Sequence, residues 1–384
     1  MKYLYFAFIV FFLASGQLGA QDENRDQAEK ELSLSIKSMN FIRNDEYFNP
    51  LGSPGFHLSG EIPLWIDKSL WIEGYTLTGF FFRPEVVYNP TEKLSLRAGA
   101  HFLKYWGAGG FTQIKPVLST SIQIAPGTIL TIGSLSGSDK HRMFDPHFNF
   151  ERLYTDYSEN GFQIRTERKH IFNDAWINWE NFIFTGDTER EIFTFGESFR
   201  YVSHETASPF NIEIPVQIQF KHFGGQVSNY PEHVTTFFNL ASGLRVNFNT
   251  GDMTGKIGVE YTGFLNSVIP ERETYIISHG HASWWRLHYD IKRFYFGSSY
   301  WVANNFYAPN GNGIFASVYR FDSKYVIRKR EIITGSAYLK LLPEDYLELF
   351  FGIDTYYDMC EKRLDYAATL HLNFEDIFRL LIIK

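Results

Sequence analysis

Histidine spacing is the first feature of this chain that could do chemistry. His279-Gly280-His281, with His288 further along the same segment, places three imidazoles where a metal could be ligated. No cysteine or close acidic residue completes that set. His141, Asp145 and His147 make a similar weak case. Both read better as exposed side chains at loops, so no metal and no other cofactor is expected. Gly133-Ser134-Leu135-Ser136-Gly137 looks like a nucleophile elbow but carries Leu at the serine position. Gly107-Ala108-Gly109-Gly110 and Gly311-Asn312-Gly313 lack the Lys-Ser/Thr of a phosphate loop and read as flexible loops. No catalytic residue is nominated, and an enzyme is not the first expectation.

The ends of the chain set the compartment. Met1-Lys2, the apolar run Leu4 to Leu13 and small residues up to Ala20 read as a signal peptide over 1–20. A polar lead-in follows over 21–30. Cys360 is the only cysteine, so no intrachain disulfide forms. Removing the signal removes Lys2 and no acid, which takes the net charge from -7 to -8. An acidic chain is a poor partner for nucleic acid. Aromatic residues make up 18% of the 384 residues, while the mean hydropathy is only -0.22. That pair of values excludes a disordered chain. Past the N-terminus no apolar run is long enough for a membrane helix.

The elements that must carry any site are strands. Apolar residues recur at every second position and helical periodicity is almost absent. Leu94, Leu96, Ala98, Ala100 and Phe102 alternate with Ser95, Arg97, Gly99 and His101. Ile212, Ile214, Val216, Ile218 and Phe220 alternate with Glu213, Pro215, Gln217, Gln219 and Lys221. The same pattern runs through 244–249, 256–261, 347–354 and 366–374. The segments are about 10–15 residues long, against about 5–6 for ordinary strands, and a tilted strand crosses a bilayer in about 9–11. Sixteen are expected, with fourteen to eighteen as the range. Their connections fall into a short set (89–92, 126–127, 169–173, 204–210, 250–253, 291–293, 343–345) and a second set that holds every long one (43–74, 138–158, 224–235, 267–280, 305–326).

That asymmetry predicts an all-β fold: a transmembrane, antiparallel, up-and-down β-barrel over 31–374, with short periplasmic turns and long extracellular loops. Closure follows from the backbone, because in lipid every N–H and C=O must be paired within the protein. Residues 375–384 read as a periplasmic tail. Trp65, Trp71, Tyr105, Trp106, Tyr300, Trp301, Tyr356 and Tyr357 lie near predicted strand ends, where aromatic girdles form.

On these features the chain resembles the porin-like outer-membrane barrels of Gram-negative bacteria. The resemblance is one of architecture and carries no signature motif. It implies a bacterial outer-membrane location, contact with outer-membrane lipid and lipopolysaccharide, insertion by the outer-membrane assembly machinery, and passive diffusion of small hydrophilic solutes. An oligomer is compatible with it. Arg97, Glu213, Lys221, Arg245, Lys256, Glu260, Arg286, Glu348, Asp354 and Asp365 are expected to face the lumen, with neither sign dominant. In many sixteen-stranded porins the third outer loop narrows the pore. Here that loop is 138–158, so Asp139, Lys140, Arg142, Asp145, Glu151 and Arg152 are the constriction candidates. As sequence alone, the segment reads somewhat better as a solvent-exposed surface loop. The competing functions are a lipid-modifying enzyme, of the phospholipase or lipid A deacylase type, and a structural or partner-binding barrel plugged by 43–74 or 375–384. The inward placement of His101 and His371 argues against the enzyme.

Overall fold

Period-two alternation over segments this long leaves one way to satisfy the backbone in lipid, and the chain takes it. In the computed structural model, residues 30–48, 75–138, 141–203, 208–225, 229–249, 255–270, 277–319, 326–343 and 346–383 are described. They form one closed sheet of sixteen antiparallel strands in which each strand pairs with its chain neighbours and β1 pairs with β16. The strands are β1 Lys30–Phe48, β2 Tyr75–Thr91, β3 Leu94–Tyr105, β4 Gln113–Ala125, β5 Thr128–Ser134, β6 Asn160–Arg168, β7 Ile171–Asn181 and β8 Ile192–Val202. They continue as β9 Phe210–Phe223, β10 Thr235–Asn249, β11 Lys256–Ile269, β12 His279–Ile291, β13 Phe294–Asn304, β14 Lys329–Pro343, β15 Leu347–Asp358 and β16 Arg363–Ile383.

Strand β11 shows the sorting of faces. Ile257, Val259, Tyr261, Leu265 and Ile269 are exposed on the outer surface, while Gly258, Glu260, Thr262, Phe264, Asn266 and Val268 are buried on the inner one. Each expected inward charge lies on its strand's inner face, in alternation with outward apolar residues.

Three expectations are corrected. Residues 375–383 are not a tail. They continue β16, which pairs with β1 from Phe48↔Leu364 to Lys30↔Ile383. Glu375 and Asp376 interrupt the apolar alternation, but Glu375 faces inward and pairs with Lys37 (3.4 Å), and a bulge at Leu32/Ser33 absorbs the change of register. The aromatics near strand ends do not all face lipid. Trp301 and Tyr356 are buried inside the barrel and Tyr105 reaches an inner loop, whereas Trp106 is exposed. Neighbouring aromatic pairs must split between the two faces, because side chains alternate. Trp65, Trp71 and loop 49–74 lie outside the described residues. The third correction concerns loop 138–158, whose position defines the site.

Candidate functional site in the lumen

The site begins where the wall stops. Strand β5 has only seven residues and leaves the sheet at Ser134, and the chain rejoins it at Asn160 in β6. Between these points it enters the lumen. Gly137 makes the turn possible: its φ is +106°, and a Cβ there would meet the Tyr157 ring at 2.4 Å. The loop is therefore not a solvent-exposed surface segment. Phe144, Phe148, Tyr154 and Tyr157 are buried, because the inner wall offers them aromatic partners from distant strands. Phe144 packs edge-on against Phe264 (5.9 Å) and Trp284 (6.2 Å). Phe148 meets Trp176 (6.2 Å). Tyr154 meets Phe41 (5.0 Å).

Polar contacts fix the loop to the wall. The Phe144 amide donates to Gln217 Oε1 (2.9 Å), and Gln217 Nε2 donates to the Arg142 carbonyl (3.2 Å). Arg43 donates to Glu151 (3.0 Å) and to Thr369 (2.9 Å), and its guanidinium lies over Phe150 at 4.4 Å. Lys115 pairs with Asp156 (2.9 Å), which also pairs with Arg152 (2.8 Å). Arg142 reaches Glu167 (2.8 Å). Of the six constriction candidates, Arg142, Asp145, Glu151 and Arg152 thus sit in the lumen, and Asp139 and Lys140 lie outside the described residues.

A second loop closes over the first. Phe306, Ala308, Ile314 and Phe315 are buried in one cluster with Phe144, Phe264, Trp284 and Trp301. The Asn149 amide donates to the Asn310 carbonyl (2.7 Å), and Asn312 Nδ2 donates to Asp145 Oδ2 (2.8 Å). Gly311-Asn312-Gly313 is accordingly a docking element and not a free loop. A Cβ at Gly311 would meet the Pro146 carbonyl oxygen at 2.0 Å, so only glycine lets the loops approach this closely.

The histidines do not assemble a metal centre: among the described residues no group of three or more His, Cys, Asp or Glu side chains could hold a metal ion. His281 is exposed on the outer face and His288 is buried on the inner one. His141 instead lies between two carboxylates, with Nε2 2.5 Å from Glu159 and Nδ1 3.1 Å from Asp174, and stacks on Trp176 at 3.6 Å. Burial opposes its charge, but Glu159 and Asp174 prevail and push its pKa up to about 9. Burial raises Asp145 to about 6, against the pull of Asn312 and the Phe150 amide. Burial alone lowers His147 to about 3, and neither of its ring nitrogens has a partner among the described residues. Spacing alone could not reveal the His141 clamp, because Glu159, Asp174 and Trp176 join it only through the fold. The alternating inward positions 174 and 176 were the available signal.

Beneath the loops runs a charged ladder across β8 to β12. Arg200 faces Glu213 (3.7 Å), which faces Arg245 (3.4 Å); Arg245 binds Glu260 (2.6 Å). Glu260 also binds Arg286, whose guanidinium lies over Phe144 at 4.6 Å. The fold therefore brings Glu213, Arg245, Glu260 and Arg286 together. The other inward positions lie elsewhere. Arg97 is near Glu85 (3.8 Å), Lys221 binds Glu180, Asp354 accepts from Ser336 (2.8 Å) and Tyr338 (2.6 Å), and Glu348 faces Lys340 (2.7 Å). Lys256 stands at the periplasmic start of β11, and Asp365 is buried at the opposite end of β16.

Outside the lumen, two histidines near the extracellular strand ends contact hydroxyls. His222 Nδ1 is 2.8 Å from Thr236 Oγ1, and His279 Nδ1 is 3.2 Å from Ser278 Oγ.

Known proteins share this architecture. The chain is similar to a loop L8 deletion mutant of OmpT, an outer membrane protein of Vibrio cholerae, with 9% identity over 90% of this chain and 100% of that one and a TM-score of 0.50. It is also similar to the anion-selective porin from Comamonas acidovorans (8% identity, 91% and 100% covered, TM-score 0.49) and to OpdQ of Pseudomonas aeruginosa (10% identity, 90% and 99% covered, TM-score 0.47). The first of these likenesses shows the fold alone, a barrel of the outer-membrane type. No curated protein matches the sequence. One family model does, that of the lipid A 3'-O-deacylase type, over residues 22–383. Because that match spans nearly the whole chain, the protein belongs to the lipid A 3'-O-deacylase-type family.

Proposed function

We propose that the protein is an outer-membrane channel of restricted bore, passing only small hydrophilic solutes. The observation that carries this reading is the ladder Arg200–Glu213–Arg245–Glu260–Arg286 directly beneath the infolded loop. A sixteen-stranded wall has room for an aqueous lumen. Charges on its inner face are sustainable where water or ion pairs meet them. The side chains of Arg245 and Arg286 keep about a fifth of their surface accessible beside the loop (21% and 20%). Loop 138–158 and the Phe306–Phe315 segment then act as the narrowing element. Three Arg against two Glu leave the ladder with a slight positive excess, so anions should be mildly favoured.

Swelling of proteoliposomes in neutral sugars of increasing mass tests this reading. Permeation that stops at the smallest sugars supports it. Impermeability to every solute rules it out.

A second reading is favoured by family membership together with the His222–Thr236 and His279–Ser278 pairs: removal of an acyl chain from lipid A at the extracellular rim. A hydroxyl activated by histidine is the chemistry that ester cleavage needs. Mass spectrometry of lipid A incubated with the purified protein distinguishes this reading. Loss of an acyl chain that disappears in His222→Ala or His279→Ala supports it, and unchanged lipid A removes it.

A further inference from the structure

The wall has a low place on its outer half. About 9–11 residues are needed to cross the bilayer as a tilted strand, and β5 has seven. Its neighbour β4 has thirteen residues, β6 nine and β7 eleven. The last pairs across this region are Ser119↔Gly133, Ser134↔Asn160 and Gly161↔Asn178. Above them, Gln113–Leu118 of β4 pair only with β3, and Trp179 and Asn181 of β7 pair only with β8. Where all four strands run together, β4 and β7 are three strand spacings apart, or about 14 Å.

Side chains and a proline satisfy or remove part of the exposed backbone edge at this gap. The Leu118 amide donates to Ser134 Oγ (3.2 Å), Ser134 Oγ donates to Asn160 Oδ1 (2.9 Å), and the Asn160 amide donates to Asn178 Oδ1 (2.9 Å). Backbone groups two residues apart along a strand point to the same side. Position 116 therefore shares the orientation of Leu118, and it is a proline with no N–H to leave unpaired. Open edges at membrane depth are costly unless treated in this way.

The rim is apolar to an unusual degree. Leu118 (72%), Phe184 (72%), Phe182 (65%) and Ile114 (61%) are the four most exposed large apolar side chains among the described residues; Ile114 and Leu118 lie on β4 at the gap, and Phe182 and Phe184 follow directly on the end of β7. Behind the rim the lining turns polar. Lys115 points inward to Asp156, and Gln113 Nε2 donates to the Thr155 carbonyl (2.9 Å).

We propose that this gap is a lateral port in which an acyl chain of an outer-leaflet lipid lies across the wall. The chain would lie against Ile114, Leu118, Phe182 and Phe184, with the lipid's polar end toward Lys115. Apolar side chains this exposed are stabilised by hydrocarbon, and the lowered wall lets that hydrocarbon reach the inner side of β4 beside Lys115, against the infolded loop. The port is independent of solute passage along the barrel axis.

Photo-crosslinking in intact outer membranes tests it. The probe p-benzoylphenylalanine replaces Lys115, which faces inward beside the gap. In a separate variant it replaces Ser121, which faces inward on the same strand below the gap, where Thr131 of β5 covers it (3.0 Å). Heat-modifiable migration on gels verifies assembly, and Gln113 substitutes for Lys115 if that variant does not assemble. The port predicts lipid adducts at Lys115 at least fivefold above those at Ser121. Equal yields at the two positions would overturn it. Because the readout is a lipid adduct and not a conductance, failure of the channel reading leaves this result interpretable.

Discussion

Raising the pH should release loop 138–158, and His141 sets the size of the effect. Its ring lies between Glu159 at 2.5 Å and Asp174 at 3.1 Å, fully buried on Trp176. Its pKa is about 9 when the loop is docked, against 6.5 for an ordinary histidine. A raised pKa contributes stability that is complete below 6.5 and is lost as the pH rises through about 9. The difference corresponds to about 3 kcal/mol of docking free energy, or roughly a hundredfold in the undocked population. Single-channel recordings at pH 7 and pH 10 measure it as the frequency of large openings. His141→Gln removes the titrating group while keeping a hydrogen-bonding side chain. That variant should open often at pH 7 and show no further step attributable to position 141. Other groups titrate near pH 10 in both proteins, so the comparison isolates His141. An equal opening frequency at both pH values in the unmodified protein would refute the reasoning, as would an identical pH step in His141→Gln. Asp145 acts in the same sense at lower pH: raised from 3.8 to about 6, it adds docking stability below 3.8 that is lost as the pH rises through about 6. Acidification from pH 7 to pH 4 should therefore make openings rarer.

Other perturbations test separate parts of the account. Glu260→Gln removes the carboxylate shared by Arg245 and Arg286, so reversal-potential measurements should show a shift toward anions. Asp358→Asn replaces the carboxylate that faces the fully buried Arg330 guanidinium at 2.8 Å with a neutral amide. It should cost about 3–5 kcal/mol, read as a lower temperature for the heat-modifiable gel transition. Deleting 376–384 removes the pairs from Ile36↔Asp376 to Lys30↔Ile383, the periplasmic part of the seam that closes the barrel. The truncated chain should fail to give the folded gel band, whereas removal of a mere tail would leave that band intact.

Much of the wall was legible because its rule is local. Alternation placed Glu260 inward and Val259 outward from sequence alone, and the same rule located most of the sixteen strands to within a few residues at each end. It failed at β16, where Glu375-Asp376 looks like the end of a strand and the partners that continue it lie in β1, more than three hundred residues away. The lumen was less legible for the same reason. Phe144 and Phe148 in a loop look alike whether they cover a surface or fill a pore, and the deciding partners, Phe264, Trp284 and Trp176, are distant in sequence. His141 was visible as a possible ligand, but its clamp required Glu159 and Asp174 to be brought together by β6 and β7. The connections 126–127 and 138–158 leave ten residues for β5, whereas in the structure it leaves the sheet after seven, at Ser134, and that shortness has meaning only beside the full lengths of β4 and β7.

In the proposed channel an infolded loop restricts an otherwise wide barrel. The most direct test of that restriction is planar-bilayer conductance of the intact protein beside a variant in which 143–153 are replaced by a short Gly-Ser linker. The intact protein should give small, stable steps and the variant steps several-fold larger. Equal conductances, or a shortened variant that inserts and does not conduct, would contradict it.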